Sequence, residues 1–533
     1  MVDHEDFDQR TEEEGRLIND PSSPNLTQVH GMSRSQAINL YTRGIVRTVA
    51  SICLSSIVGR WVDGSPNRMK TLSTTISFNR FAVISSCILW LGIAESANLN
   101  DEASSTSGFQ FKLTPGLKNG MFSLILLLGV IETLSANGNM LSMERDFVPI
   151  AADPTHMKYN LTYLNSAMRR IDLTCKLLAP IMISVAISTT SVRIGILVVA
   201  AMSALSWGVE LWCAKRVWNR NSRLRVIKVR HIGNSARVAR EVGEEAQRTF
   251  TERISQIVRL YGNNFRNYFR SQVWIPSFSL ALLHLSALSY GATFITFLLG
   301  SGFSLGLVTA SRACGSIVEI SSTFVTPVGV RYLGKAKRHD FIRVGESYNE
   351  EYDSELLEST SESSNTDLMT ETGLQRLGLW GITSQLLCLI PVLYAIWLSS
   401  PSPSPSTFAT RDLAPVISFP LQAFTIFAFL SLSRLGLWIF DLTTQQLTQT
   451  LNPPQALSTF TGVEYSFVSV FELCQHLMGI FLGRPEDFKW IASVSLIAVG
   501  ISSIAYAGWV RHRRGHLVHW EKVSQCCKRT GLG

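Results

Sequence analysis

Long apolar runs separated by shorter polar connections dominate this chain, and their lengths suit a membrane crossing. A helix spanning a hydrocarbon layer of about 30 Å needs roughly 17 to 25 mostly apolar residues, because each residue rises about 1.5 Å and the backbone bonds close within the helix. About eleven segments fit this pattern: residues 44–62, 81–94, 121–140, 173–187, 194–213, 273–299, 305–330, 379–398, 416–440, 457–482 and 491–510. The expectation is an all-α integral membrane protein. Residues 1–42 begin acidic and stay polar, so no signal peptide is expected ahead of the first span.

Composition narrows the class. Of 533 residues, 46% are hydrophobic and only 17% charged, against about 25% charged in soluble domains, which excludes a disordered chain or a string of soluble domains. The nine cysteines fall mostly inside apolar runs, without metal-ligand spacing or a disulfide framework. A net charge of +8 does not point to nucleic acid, because the basic residues flank the apolar runs and form no basic aromatic face. They set orientation instead. Arg60, Arg68, Lys70 and Arg80, then Lys215 to Arg230, then Arg331 to Arg338, then Arg511 to Arg514 mark cytoplasmic sides. Counted back from a cytoplasmic C-terminus, the alternation comes out one helix short.

Two long polar loops divide the chain. The expected organisation is a polar tail (1–42), an N-terminal helical bundle (43–213), a cytoplasmic linker with an amphipathic helix (214–272), a C-terminal bundle (273–510) and a basic tail (511–533). The linker pattern runs through Val238, Val242, Ala246, Phe250, Ile254, Ile257 and Leu260. A Ser/Glu/Asp-rich stretch at 339–375 interrupts the second bundle and is expected to be a disordered loop. Residues 399–406 (SSPSPSPS) read as an extended connector. Cys526 and Cys527 are either palmitoylated or plain thiols.

Ionisable residues inside apolar segments are costly and mark either internal pairs or a substrate path. They are Glu132, Asp172, Glu210, His284, Arg312, Glu319, Arg434, Asp441, Glu464, Glu472 and His476. Arg312 with Glu319, and Arg434 with Asp441, lie two helical turns apart, so each pair could lock helices through neighbours. Asp172 is the leading carboxylate for a hard cation or Fe²⁺, since oxygen ligands suit such ions. No P-loop, zinc finger or catalytic triad pattern occurs, so an enzyme is not expected. Pro180, Pro276, Pro327, Pro391 and Pro420 permit kinks in or near spans.

Three stretches resemble the ferroportin iron-exporter family of the major facilitator superfamily: GRWVD (59–63) with its basic turn, MERDF (143–147) leading to NSAMRRIDLTCKLLAP (165–180), and RLGLWIFDLTTQQ (434–446). The resemblance implies a two-bundle major facilitator-like fold of twelve helices exporting Fe²⁺ by alternating access, with a divalent site in each half. About eleven helices are expected here, since the chain passes from Leu40, Tyr41 and Thr42 into the second family helix. An omitted exon or splice form at Thr42–Arg43 is the simplest account. The metal candidates it implies are Asp172 of the RRID motif, Ser203, Ser206 and His476, the last offset by one residue from the family histidine. The gating candidates are Asp63, Arg68, Asp146, Arg169, Arg434 and Asp441. Gly291 and Ala292 replace the animal Asp-Cys pair, so regulation by hepcidin is not expected. Fe²⁺, with other divalent metals, is a substrate and no cofactor is implied. The plasma membrane is the expected location, with a vacuolar or other organelle membrane as the alternative. Competing readings are a major facilitator transporter of an organic solute and a non-transporting splice form.

Overall fold

The computed structural model describes residues 34–101, 115–152, 160–226, 228, 250–335, 354–399, 419–482 and 485–514. Every predicted apolar run but one lies in continuous helix there, the run 273–299 being broken between Leu285 and Ala292, and no strand occurs among the described residues. Helices α1 (Arg34–Gly64), α2 (Arg68–Asp101), α3 (Pro115–Met140), α4 (Leu161–Thr189) and α5 (Val192–Arg220) come first. An amphipathic α6 (Phe250–Arg270) leads to a broken crossing made of α7 (Trp274–Leu282) and α8 (Ala292–Gly300). Then follow α9 (Leu305–Lys335), α10 (Ser354–Ser399), α11 (Phe419–Leu451), α12 (Leu457–Phe481) and α13 (Phe488–Arg514). Nine described helices are long and apolar enough to cross a membrane. The other two predicted segments are the broken α7–α8 and α12, whose polar side chains Ser458, Thr461, Glu464, Ser466 and Ser469 are buried against neighbours.

Helix contacts fall into two groups. In the first, α2 packs on α3 and α5, α1 on α3, and α4 on α5. In the second, α10 lies between α11, α9 and α13, while α7 packs on α12 and α13. The second group holds the larger apolar core, from Tyr268 and Phe294 to Phe440 and Tyr506. The first is sparser, with Leu72, Ile76, Phe147 and Leu224 at its centre. Bulky residues left on the outside, such as Leu205, Val328 and Ile504, would be a liability in water but match a hydrocarbon solvent. The two groups join mainly through α1 on α12 and α4 on α9.

The acidic stretch expected to be disordered is instead helical from Ser354 onward, as the first turns of α10. Its Glu, Leu and Met residues are good helix formers, and extending an existing helix avoids the cost of a new nucleus. Glu371 is fixed by Gln375 and by Arg513 of α13. Of the linker pattern, Phe250 to Leu260 lies on α6, which anchors through Tyr261 to the Ile52 carbonyl (2.8 Å) and Asn264 to Ser56 (2.9 Å). Burial pushes the Tyr268 phenol above its ordinary range, with the nearby Glu464 charge adding to the effect. Residues 231–249, 339–353, 400–406, Cys526 and Cys527 lie outside the described residues.

The α1–α12 crossing depends on missing side chains. A Cβ on Gly59 would run into the Ser458 carbonyl, and one on Gly462 would sit 2.6 Å from the Ser55 carbonyl oxygen. Both obstacles are backbone and cannot swing away. Gly59→Ala is therefore expected to lower the thermal midpoint of the detergent-purified protein, with an overpacking cost of about 1–3 kcal/mol. Gly208→Ala, which meets nothing within 4 Å, leaves the midpoint unchanged or raises it in the same fluorescence melt.

Candidate functional site at the junction of the two helix groups

α12 begins without a cap of its own. Ala456 stands at the N-cap and offers no side-chain acceptor, although the first turn of any helix has unsatisfied N–H groups and a partial positive charge. Asp63, at the end of α1, supplies the missing acceptor. Its carboxylate accepts from the Ser458 N–H (3.1 Å), the Thr459 N–H (2.6 Å) and the Thr459 hydroxyl (2.7 Å). Gly59, one turn earlier, permits the approach. The G-x-x-x-D spacing thus has a physical meaning: the glycine admits the other half's helix end and the aspartate caps it.

MERDF adopts a π-helical turn, Leu141–Phe147, at the end of α3, a distortion often found at functional sites. It turns three consecutive charges, all buried, in two directions. Glu144 accepts from the Gln445 amide (2.9 Å), and Arg145 donates to the Gln445 carbonyl (3.0 Å) and lies 3.9 Å from Glu464. Asp146 turns the other way, to Arg68 (2.9 Å) and Lys228 (2.6 Å). Arg68 and Lys228 also donate to the Val226 and Val62 carbonyls, which ties the linker's start to the α1–α2 turn.

The third component is a zipper between α4 and α11. Asp441, Gln445 and Gln449 repeat every four residues and so share one helix face. Arg169 meets Asp441 (2.8 Å) and Gln445 (3.3 Å), and Asn165 meets Gln449 (2.6 Å). Thr162 accepts from Gln446 (2.8 Å), and Arg170 reaches the Thr323 hydroxyl of α9 (3.1 Å). Trp438 lies against both Arg169 and Arg434. These ties lie towards the basic ends of the helices.

The predicted gating residues divide between two places. Asp63, Arg68, Asp146, Arg169 and Asp441 belong to this layer. Arg434 pairs with Glu319 across α11 and α9 (2.6 Å), so it and Asp441 are held by different helices. Arg47 of α1 meets Glu132 of α3, and Arg80 of α2 meets Glu210 of α5, which explains the tolerated charges of the first group.

The predicted metal residues are spread over α4, α5 and α12. Asp172 is held by Lys176 (2.8 Å) and Arg169 (3.6 Å). Ser203 is buried on α5 with Ser206 donating to its carbonyl (3.2 Å), and His476 is exposed on α12. Among the described residues no group of three or more His, Cys, Asp or Glu side chains could hold a metal ion. Glu144, Arg145, Asn165, Gln445 and Gln449 are absent from the gating and metal candidates expected from the sequence. The signal was the four-residue repeat of polar side chains on α11, facing one on α4.

Residues 40–338 and 363–499 match the family model described as Ferroportin1 (FPN1). The chain belongs to the Ferroportin1 family. It is 24% identical over 507 residues to solute carrier family 40 member 2 of Arabidopsis thaliana, covering 90% of this chain and 84% of that one. It is 21% identical over 506 residues to ferroportin of Homo sapiens, covering 89% and 85%. Among solved structures, it resembles a bacterial homologue of the iron transporter ferroportin in an outward-facing state, with a TM-score of 0.64, 19% identity and coverage of 89% and 91%. It also resembles the major facilitator proton:xylose symporter XylE, with a TM-score of 0.51, 10% identity and coverage of 92% and 88%. The fold is thus the two-bundle major facilitator architecture, in a multi-pass membrane protein.

Thr448 is fully buried in this layer and makes a suitable reporter. In a background without exposed cysteines, Thr448→Cys is expected to react slowly with a permeant maleimide, and Arg169→Ala to speed labelling at least tenfold. That factor corresponds to about 1.4 kcal/mol, less than the roughly 3–5 kcal/mol lost when a buried pair is broken.

Proposed function

We propose that this ferroportin-family chain exports ferrous iron across its membrane by alternating access, with the layer around Asp63, Arg145, Arg169 and Asp441 as its inner gate. The observation that carries the reading is where the ties between the halves lie. Arg169–Asp441, Asn165–Gln449, Asp63–Thr459 and Arg170–Thr323 all join one half to the other at the basic end. Towards the opposite end, α12 exposes Val470, Cys474, His476 and Phe481, and α4 exposes Leu178, Ile181, Met182 and Val185. This is a gate closed towards the cytoplasm.

Such a gate suits a transporter because its members are small polar and charged groups with water as the competing partner. Solvent entering from the basic end replaces their hydrogen bonds at little net cost, whereas an apolar seal would resist wetting. The plasma membrane is the proposed location. Asp172 is proposed to meet the ion in a state in which Lys176 has swung away, since the ammonium now occupies the carboxylate. Family membership, and relatives named ferroportin in mouse, rat, dog and human, support iron as the cargo over an organic solute.

Fe²⁺ efflux from iron-loaded cells expressing the chain tests this directly. Efflux above the untransfected level is expected, with Arg169→Asp and Asp441→Arg each reducing it about tenfold or more and the charge-swapped double variant recovering it. Correctly inserted protein that moves no Fe²⁺ would contradict the proposal.

A further inference from the structure

The two faces of the amphipathic α6 meet different surroundings. Its inner face is fixed to both halves of the molecule. Tyr261 donates to the Ile52 carbonyl and Asn264 to the Ser56 hydroxyl, both on α1. Tyr268 stacks on Phe460 of α12, with ring centroids 4.6 Å apart, and donates to the Ser277 hydroxyl of α7 (2.9 Å). Phe265 meets Phe467 edge-on at 5.4 Å. The hinge that follows is pinned as well: Ser271 donates to Asn452 Oδ1 (2.6 Å), and the Trp509 indole of α13 donates to the Gln272 carbonyl (2.8 Å). These bonds fix the direction in which the other face of α6 points.

That outer face is open and basic. Arg259, Asn263, Arg266 and Arg270 are all exposed, and their spacing of four, three and four residues puts them in one stripe along the helix. From Arg253 to Arg270 the chain contains no Asp or Glu. None of the three stripe arginines pairs with a carboxylate among the described residues. Arg60, one turn beyond Ser56 and so on the same side of α1, is exposed too. Val258 and Phe269, 64% and 45% exposed, share one flank of the stripe, because eleven residues make about three whole turns. Trp274 lies against Phe269 (5.4 Å), and with Trp509 it supplies the aromatic pair typical of a membrane boundary.

We infer that the outer face of α6 binds the headgroups of anionic phospholipids in the leaflet on the basic side of the protein. Guanidinium groups suit this partner, since each presents a fork of N–H donors that matches phosphate oxygens. A basic stripe with an apolar flank is the arrangement that lets a helix lie between headgroups and acyl chains. The arginines reach the phosphates, and Val258 and Phe269 meet the first methylenes of the chains. Zwitterionic lipids offer the same phosphate but cancel its charge, so the preference comes from net headgroup charge. The stripe takes no part in the gate layer, and the inference is independent of the cargo.

The test is native mass spectrometry of the detergent-purified full chain titrated with phosphatidylserine, with phosphatidylcholine as control. Tighter binding of phosphatidylserine is expected. Each arginine near an anionic surface is worth roughly fivefold in affinity. The triple variant Arg259→Gln, Arg266→Gln, Arg270→Gln should therefore weaken phosphatidylserine binding about a hundredfold, and leave phosphatidylcholine binding unchanged. A control variant, Lys215→Gln, Arg220→Gln, Arg223→Gln, removes three exposed charges at the end of α5 and in the turn after it, and should weaken binding by less than about fivefold. All six positions are exposed, so the lipid-free thermal midpoints should match the parent. Equal losses in the two triple variants, or equal affinity of the parent for the two lipids, would overturn the inference. Displacement of phosphatidylserine by glycerophosphoserine at matching concentration would also overturn it, because the stripe would then take a soluble phosphate and not a membrane lipid.

Discussion

The start of α12 cannot satisfy itself. Its first N–H groups point at the other half of the molecule, and the group that receives them is the Asp63 carboxylate on α1. A helix cap normally comes from the same chain segment and contributes about 0.5–2 kcal/mol. Here it comes from the opposite half, so the cap exists only while the basic ends of the halves are together. Gly59 and Gly462 set the distance at which this contact can form. Once α1 and α12 are fixed, the π-turn at the end of α3 reaches Gln445 and Glu464, and the α4–α11 zipper closes beside it. The charges in the layer include Arg68, Arg145, Arg169 and Lys228 against Asp63, Glu144, Asp146, Asp441 and Glu464. Each is paired or hydrogen-bonded, as buried charges must be.

This dependence explains why the halves can separate without unfolding. Each half has its own apolar contacts, and the second has a continuous core. The joining layer is polar, so opening it exchanges protein partners for water. The helices that carry the ties, α1, α4, α11 and α12, also continue beyond this layer, and α12 passes the α7–α8 break, where His284 faces Glu472. A rocking motion that parts Arg169 from Asp441 therefore also changes the surroundings of that pair.

Much of the fold was legible because its cause is one-dimensional. Hydropathy runs place the spans, and Lys and Arg place the basic end, since the bilayer acts on length and charge alone. The first turns of α10 escaped because their composition resembles a solvated loop; they are helical as the continuation of the span that follows them. The site was legible only in outline. Asp63, Arg169 and Asp441 stand out as charges beside apolar runs, but their partners are fixed by helix packing that sequence spacing does not encode. Gln445 and Gln449 are neutral and gave no hydropathy signal, and the π-turn that re-aims Glu144 and Arg145 is a local distortion that MERDF does not announce. Glu472 and His284 each looked like isolated ionisable residues; only the broken crossing brings them face to face.

The central claim is that the Asp63 cap holds the inner side closed. Spin labels at Gly64 and Pro454, one on each side of that contact, allow a pulsed EPR distance measurement on the full chain in nanodiscs. The account predicts one short distance for the parent, and a second, longer population in Asp63→Ala. An unchanged distance distribution in Asp63→Ala would contradict it.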